Sequence, residues 1–169
     1  MVCPKHAPVQ WWLEAPNLPR DLAFFSAPFP TDGRAIALLK TLYRGVPVVF
    51  VGDMDPYAIV QYEEARRKIA RSATLIHGGV NSGWLDAIDK ASKNRRALAR
   101  IRISLDKHEV DLLKALERSV DLEALIGLRG AQMLREGFKV ELEGATNPAF
   151  HRPGHGRWVF GYLRSRAAS

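Results

Sequence analysis

A single cysteine, Cys3, is all the thiol chemistry this chain of 169 residues carries. One thiol excludes an internal disulfide framework and fits a reducing compartment. No His or Cys cluster accompanies it, so it offers no structural zinc site. Long apolar runs are missing as well: nothing reaches the about 18 residues that a membrane-spanning helix needs. The first residues hold Pro4, Lys5 and Pro8 in place of the apolar core of a signal peptide. A cytoplasmic protein with no membrane partner is the expectation. The sequence also has no internal repeat, no low-complexity segment and no recognisable Gly-rich phosphate loop.

Negative charge is the next shortage. Asp and Glu number 18 against 25 Lys and Arg, for a formal net charge of +7. That excess points to a polyanionic partner, nucleic acid before a membrane surface. What is present is otherwise ordinary. Hydrophobic residues at 47% and charged residues at 25% suit a globular chain long enough to bury a core.

The chain is organised around residues 46–57, VPVVFVGDMDPY. The β-branched and apolar run ends abruptly at Gly52-Asp53-Met54-Asp55-Pro56, the pattern of a buried parallel strand closed by a turn. Pro47 is tolerated because it stands at the start of the run. A period of two sends Asp53 and Asp55 from the strand's C-terminal end on the same side. That end is where open α/β sheets bind ligands. Two neighbouring carboxylates repel each other, and a hard cation such as Mg²⁺ relieves the repulsion. The plainer alternative is a polar turn that closes the strand and opens a helix, roles in which Asp and Pro are common.

Around this stretch the pattern predicts an α/β layout, a mainly parallel central sheet flanked by helices. Residues 1–8 read as a flexible lead-in. Residues 9–13 (VQWWL) read as a short first strand ending in Glu14, a third carboxylate for the site, although a solvated loop acid is the simpler reading of Glu14 alone. Residues 15–32, with Pro16, Pro19, Pro28 and Pro30, form an irregular connection pinned by Phe24 and Phe25. Asp32-Gly33 is expected to open a helix running to about Tyr43, with Ile36, Leu38, Leu39 and Leu42 inward and Gly45 ending it. Pro56 opens another, running to about Arg71, with Ile59, Tyr62, Ala65 and Ile69 inward. Further strands are expected at 74–77, around Ile101 and Ile103, at 138–143 (FKVELE) and at 157–163. Helices started by Ser82, by the Asp106 and Glu109 capping box and by Asp121 fill the intervals, and Gly137 stops the last. Residues 148–156 read as a loop. The whole reads as one domain over 9–145, with 146–169 a C-terminal loop and edge strand.

Basic residues cluster in two places. Arg66, Arg67, Lys68 and Arg71 load the end of one helix, and Lys90, Lys93, Arg95, Arg96, Arg100 and Arg102 follow within a short span. Both groups suit a nucleic-acid backbone, with a steep salt dependence as the signature. A solvated helix face is the structural alternative. His77 and the pair His151 and His155 read as structural and loop residues. Tyr43, Tyr57, Tyr62 and Tyr162 read as packing residues.

A Glu after the first expected strand and Asp-x-Asp after the second resembles the Toprim domain of topoisomerases, bacterial primases and several nucleases. The version here, Gly52-Asp53-Met54-Asp55-Pro56-Tyr57, is most similar to the A subunit of topoisomerase VI and its meiotic double-strand-break relatives. It is also similar to the nuclease subunit of Wadjet-type plasmid defence systems. Residues 139–144 (KVELEG) resemble an acidic strand late in that group's Toprim region. The resemblance implies a Rossmann-like Toprim fold over about residues 9–145. It implies Mg²⁺ on Asp53 and Asp55, one ion or two, with Glu14 either a ligand or a general acid/base; Glu141 and Glu143 are further candidate ligands, with solvent-facing strand charge the better reading for at least one of them. Nucleic acid, DNA in the first place, is the implied partner, and phosphodiester cleavage the implied chemistry.

Two departures stand out: Ala58 holds a position that is often Gly, and Ala-Pro follows Glu14. No winged-helix domain with an attacking tyrosine is legible, so a partner subunit supplying a tyrosine or an ATPase is expected for strand passage. That leaves a metal-dependent nuclease, a non-catalytic accessory Toprim module, or a Mg²⁺–nucleotide transferase like thiamine pyrophosphokinase. Against the last stand the Pro after the second Asp and the missing phosphate loop.

Overall fold

The computed structural model of the chain describes residues 1–15, 23–26, 33–42, 46–69, 73–91, 97–146 and 155–168. Its contacts divide it into two units: Met1–Val51, Gln61–Gly78 and Gly156–Ser169 form the first, Gly52–Val60 and Gly79–His155 the second. The first residues, from Met1 on, belong to the first of these units.

The first unit is built on a parallel sheet of four strands: β1 (Val2–Cys3), β2 (Phe25–Ser26), β3 (Val48–Phe50) and β4 (Leu75–His77), in the order β2-β1-β3-β4. Val2 stands opposite both Phe25 and Phe50, and Val48, Val49 and Phe50 stand opposite Leu75, Ile76 and His77. All three residues of β3 are buried, so both faces are covered, as a parallel strand between helices requires. This is the fold class read from the sequence, α/β with a parallel sheet.

β1 corrects the reading of residues 1–8 as a flexible lead-in. Val2 and Cys3 are 1% and 0% exposed. Two residues are too few to carry a period, and their burial comes from pairing with segments far along the chain.

A second correction concerns residues 9–13, which lie in helix α1 (His6–Leu13). The aromatic, β-branched composition of VQWWL is strand-prone locally. Tertiary burial overrides it: Pro8, Val9 and Trp12 are the buried residues, at the spacing of one helix face. Pro8 is no obstacle in the first turn, where its missing N–H would have had no helical acceptor. The expected C-terminal edge strand at 157–163 is likewise helix, within α9 (His155–Ala168), with Val159, Phe160 and Leu163 buried at helical spacing. Phe24 does pin its segment, its ring packing 5.9 Å from Trp12 and 6.2 Å from Phe160. The side chain of Phe25 lies outside the described residues.

Helix α2 (Gly33–Leu42) forms where expected and buries Ile36; the side chains of Leu38, Leu39 and Leu42, and Tyr43 itself, lie outside the described residues. Helix α3 (Pro56–Ile69) opens at Pro56 and buries the expected stripe of Ile59, Tyr62, Ala65 and Ile69. The Tyr62 hydroxyl donates to Leu75 O at 3.2 Å.

The second unit holds α4 (Ser82–Ala91), α5 (Ala97–Ile101), β5 (Arg102–Ser104), α6 (Lys107–Leu116), α7 (Leu122–Arg135), β6 (Phe138–Val140) and α8 (Leu142–Thr146). β5 and β6 pair antiparallel, Arg102 opposite Val140 and Ser104 opposite Phe138. The capping box of Asp106 and Glu109 forms, as does the Asp121 cap on Ala124 N at 3.0 Å. Gly137, with φ 84°, ends the turn after α7 in the left-handed conformation that favours glycine.

Three expectations shift here. Ile101 closes α5 and is buried, whereas Ile103 in β5 is exposed. The strand expected over 138–143 stops at Val140, because Leu142 opens α8. Asn81, not Ser82, receives the amides at the start of α4, its Oδ1 accepting from Gly83 N at 2.9 Å and Trp84 N at 3.4 Å. Ser82 ties α4 to α7 instead, donating to Ile126 O and accepting from Gly130 N, both at 3.0 Å. Arg129 adds ion pairs from α7 to Asp86 and Asp89. Trp84, Leu85, Ile88, Leu122, Ile126 and Leu134 form the core beneath. Among the described residues no helix is long and apolar enough to cross a membrane.

Candidate functional site

After β3 the chain leaves the strand through Gly52, whose carbonyl accepts from Val80 N at 3.0 Å. Met54 then pairs with Val140 in an isolated antiparallel bridge, Met54 N donating to Val140 O at 2.9 Å and Val140 N to Met54 O at 3.3 Å. Met54 and Val140 are both fully buried. Antiparallel register then sets Asp55 across from Lys139 and Asp53 across from Glu141. The charges of Asp55 and Glu141 both act on Lys139. The bridge thus gathers acidic residues from two segments 84 or more positions apart.

Asp53 and Asp55 are each 8% exposed. A buried carboxylate needs hydrogen bonds, and the main chain supplies them. Asp55 Oδ1 accepts from Ala58 N at 2.6 Å, which caps the first turn of α3. Asp53 Oδ1 accepts from Leu142 N at 2.7 Å at the start of α8. Asp53→Ala is accordingly expected to lower stability by about 1–3 kcal/mol, since it strands a buried N–H. Asp53→Asn keeps an acceptor oxygen and is expected to lose less; thermal unfolding of the two variants measures the difference.

Lys139 carries the positive charge of the cluster. Its Nζ lies 2.6 Å from Glu109 Oε1, and the Lys139 and Glu109 side chains are 16% and 3% exposed. Glu109 Oε2 accepts from Asp106 N at 2.9 Å, so both its oxygens are engaged. Burial pulls the Lys139 pKa down, but the hydrogen bond and charge of Glu109, with the charges of Asp55 and Glu141, outweigh it and leave the pKa raised.

Among the described residues, no group of three His, Cys, Asp or Glu side chains is arranged to hold a metal ion. Asp53 and Asp55 remain as two buried hard carboxylates, two positions apart in the chain. That donor set fits Mg²⁺, which characteristically takes one or two protein carboxylates together with substrate phosphate and water.

Glu14 follows α1 as its C-cap, exposed, accepting from Gln10 Nε2 at 3.1 Å. It does not end a strand, so the feature that linked it to the Asp-x-Asp spacing is absent. Glu143 lies within α8. Of the basic residues, Arg66 and Arg67 are exposed on α3, Arg66 paired with Glu63 at 2.8 Å. Arg100 is exposed on α5, and the Arg102 guanidinium lies 4.4 Å over the Phe138 ring. Lys93, Arg95, Arg96, Arg71 and His151 lie outside the described residues. Tyr62 is a packing residue as expected, and Tyr162 stacks on Trp158. Tyr57 is not: it is 49% exposed beside Pro56.

The residues that sequence reasoning passed over are Lys139 as a partner of Asp55, and Glu109 as its anchor. The alternation of 138–143 put Lys139 and Glu141 on one side, but pairing with Met54 leaves no local signal. Compared with models of known protein families, with curated proteins and with solved structures, the chain gives no match.

Proposed function

We propose that the chain is a Toprim-like protein that binds nucleic acid and, with Mg²⁺ on Asp53 and Asp55, cleaves phosphodiester bonds or assists a partner in doing so. The observation that carries this reading is the placement of Asp53 and Asp55, both buried and flanking Met54 of the Met54–Val140 bridge, shortly after a buried parallel strand. A parallel α/β sheet and a net charge of +7 support it. Mg²⁺ held there would stabilise the charge that develops on a phosphodiester. The backbone amides of Ala58 and Leu142 would fix the two carboxylates toward it. Exposed Arg66, Arg67 and Arg100, with Lys93, Arg95 and Arg96, would neutralise the nucleic-acid backbone. Glu14 enters as a ligand or acid/base through the sequence resemblance alone.

A second reading is favoured by the backbone N–H hydrogen bonds to both aspartates: the pair serves as helix caps, and the chain is a binding module whose partner supplies the tyrosine or ATPase. Nicking of supercoiled plasmid with Mg²⁺ or Mn²⁺ separates the two. Wild-type nicking that EDTA stops and Asp53→Asn abolishes supports the metal site; loss in Glu14→Gln as well extends it to Glu14. Equal nicking by wild type and Asp53→Asn contradicts it. No nicking with salt-sensitive DNA binding favours the binding module.

A further inference from the structure

We propose that Lys139 is the residue of this site that contacts the phosphate of the bound nucleic acid, its ammonium held in place by Glu109. The inference rests on the reading of Asp53 and Asp55 as metal carboxylates and adds where the substrate lies beside them.

The argument starts from position. The Met54–Val140 bridge sets Lys139 across from Asp55. The charge of Asp55 acts on Lys139, so the two side chains lie near each other. A group bound at Asp55 is thus within reach of a lysine side chain.

The anchoring is the second observation. An exposed lysine pair holds its charge loosely and contributes little. Lys139 is different, because its partner Glu109 is buried and fixed through its other oxygen to Asp106 N. The anchor lies in the interior while the lysine side chain retains access to solvent. An ammonium has three donors, and the hydrogen bond to Glu109 engages one of them.

Chemistry supplies the third step. A phosphodiester oxygen beside a metal-bearing carboxylate pair meets repulsion from that pair. Fixed cations placed around the transferring phosphate are the usual remedy, and they act strongly where water is excluded. Lysine does this as a point charge, without the planar fork an arginine would need to align. A phosphate oxygen between the metal position and Lys139 would be neutralised from two sides.

The test uses the full chain. The double variant Glu109→Gln with Lys139→Gln removes the charge without stranding a buried carboxylate. It is expected to bind Mn²⁺, followed by electron paramagnetic resonance, at least as tightly as wild type. Its affinity for a fluorescent single-stranded oligonucleotide with Mn²⁺ present is expected to fall about tenfold or more, and the slope of log affinity against log salt to drop by about one. The single variant Lys139→Arg, which keeps a cation beside Glu109, is expected to retain most of the binding.

A second measurement does not depend on any variant folding. Amine labelling of wild type is expected to slow at Lys139 when oligonucleotide and Mn²⁺ are present together, but not with Mn²⁺ alone. Undiminished oligonucleotide binding by a folded double variant, or labelling that oligonucleotide leaves unchanged, would make Lys139 a counter-ion of Asp55 and overturn the inference while the metal site stands. Wild type that takes up no Mn²⁺ would overturn the metal site and this inference together.

Discussion

Gly79→Ala is expected to lower stability by about 3 kcal/mol, the top of the usual range for overpacking. A Cβ at this position would lie 2.5 Å from Gly52 O and 2.7 Å from Gly52 N. Both are main-chain atoms, so no side chain can swing aside. Gly52 O is also committed to Val80 N at 3.0 Å, and parting the two segments would lengthen that bond. The same movement would displace Asp53, the next residue. Gly33→Ala is the control: among the described residues nothing lies within 4 Å of its added Cβ, and alanine there is expected to be neutral or stabilising by about 0.4–1 kcal/mol. Urea unfolding measures both. A Gly79→Ala midpoint within error of wild type would mean that the two glycines do not touch.

Stability is also expected to fall as pH drops from about 6.5 to about 4, by about 3 kcal/mol in total from His77 alone. His77 ends β4 and is buried, and neither ring nitrogen has a hydrogen-bond partner among the described residues. Its ring meets Phe50 and Tyr62, with centroids 6.4 Å and 5.1 Å away. The Arg166 guanidinium donates to its carbonyl from α9 at 3.2 Å and 3.3 Å. Desolvation first, and the Arg166 charge second, push its pKa down from 6.5 to about 4.

The sign follows from proton counting. Above pH 6.5 the histidine is neutral in both states and stability does not change with pH on its account. Below 6.5 the unfolded chain takes up a proton that the native ring refuses, so the unfolded state gains at about 1.4 kcal/mol per pH unit. The loss is complete once pH passes below the native value. His77→Phe suits the aromatic surroundings and is expected to remove this component, with carboxylates supplying what slope remains. Chemical denaturation of both proteins across pH 4–7 reads the difference; parallel curves would show that His77 gains a partner or water in solution.

The elements legible in the sequence are those whose signals are local. The apolar run into Gly52-Asp53 gave β3, Pro56 gave the start of α3, and the Asp106 and Glu109 spacing gave a capping box that forms as read. Trp84, Leu85 and Ile88 at helical spacing gave the buried face of α4. Aromatic-rich segments misled. VQWWL and the segment around Trp158 to Leu163 have strand-like composition, yet each presents one buried helical stripe to a core that only the folded chain defines. β1 was hidden by its length of two residues.

The site divides along the same line. Asp53 and Asp55 were legible because both stand in the short segment that closes one apolar run. Their neighbours Lys139 and Glu141 were visible as an alternating pair, but the bridge that brings them across is a pairing of residues 86 apart. Glu14 was misplaced for a related reason, because it was assigned to the end of a strand that is helix α1.

The most direct test of the metal site is Mn²⁺ binding by the full chain, followed by electron paramagnetic resonance or calorimetry. Wild type should bind the ion, and Asp53→Asn and Asp55→Asn should each lose that binding while unfolding near the wild-type temperature. Retained folding is what separates a lost metal site from a lost helix cap. Undiminished Mn²⁺ binding in both Asn variants, or none in wild type, would contradict the account and leave the two aspartates as caps of α3 and α8.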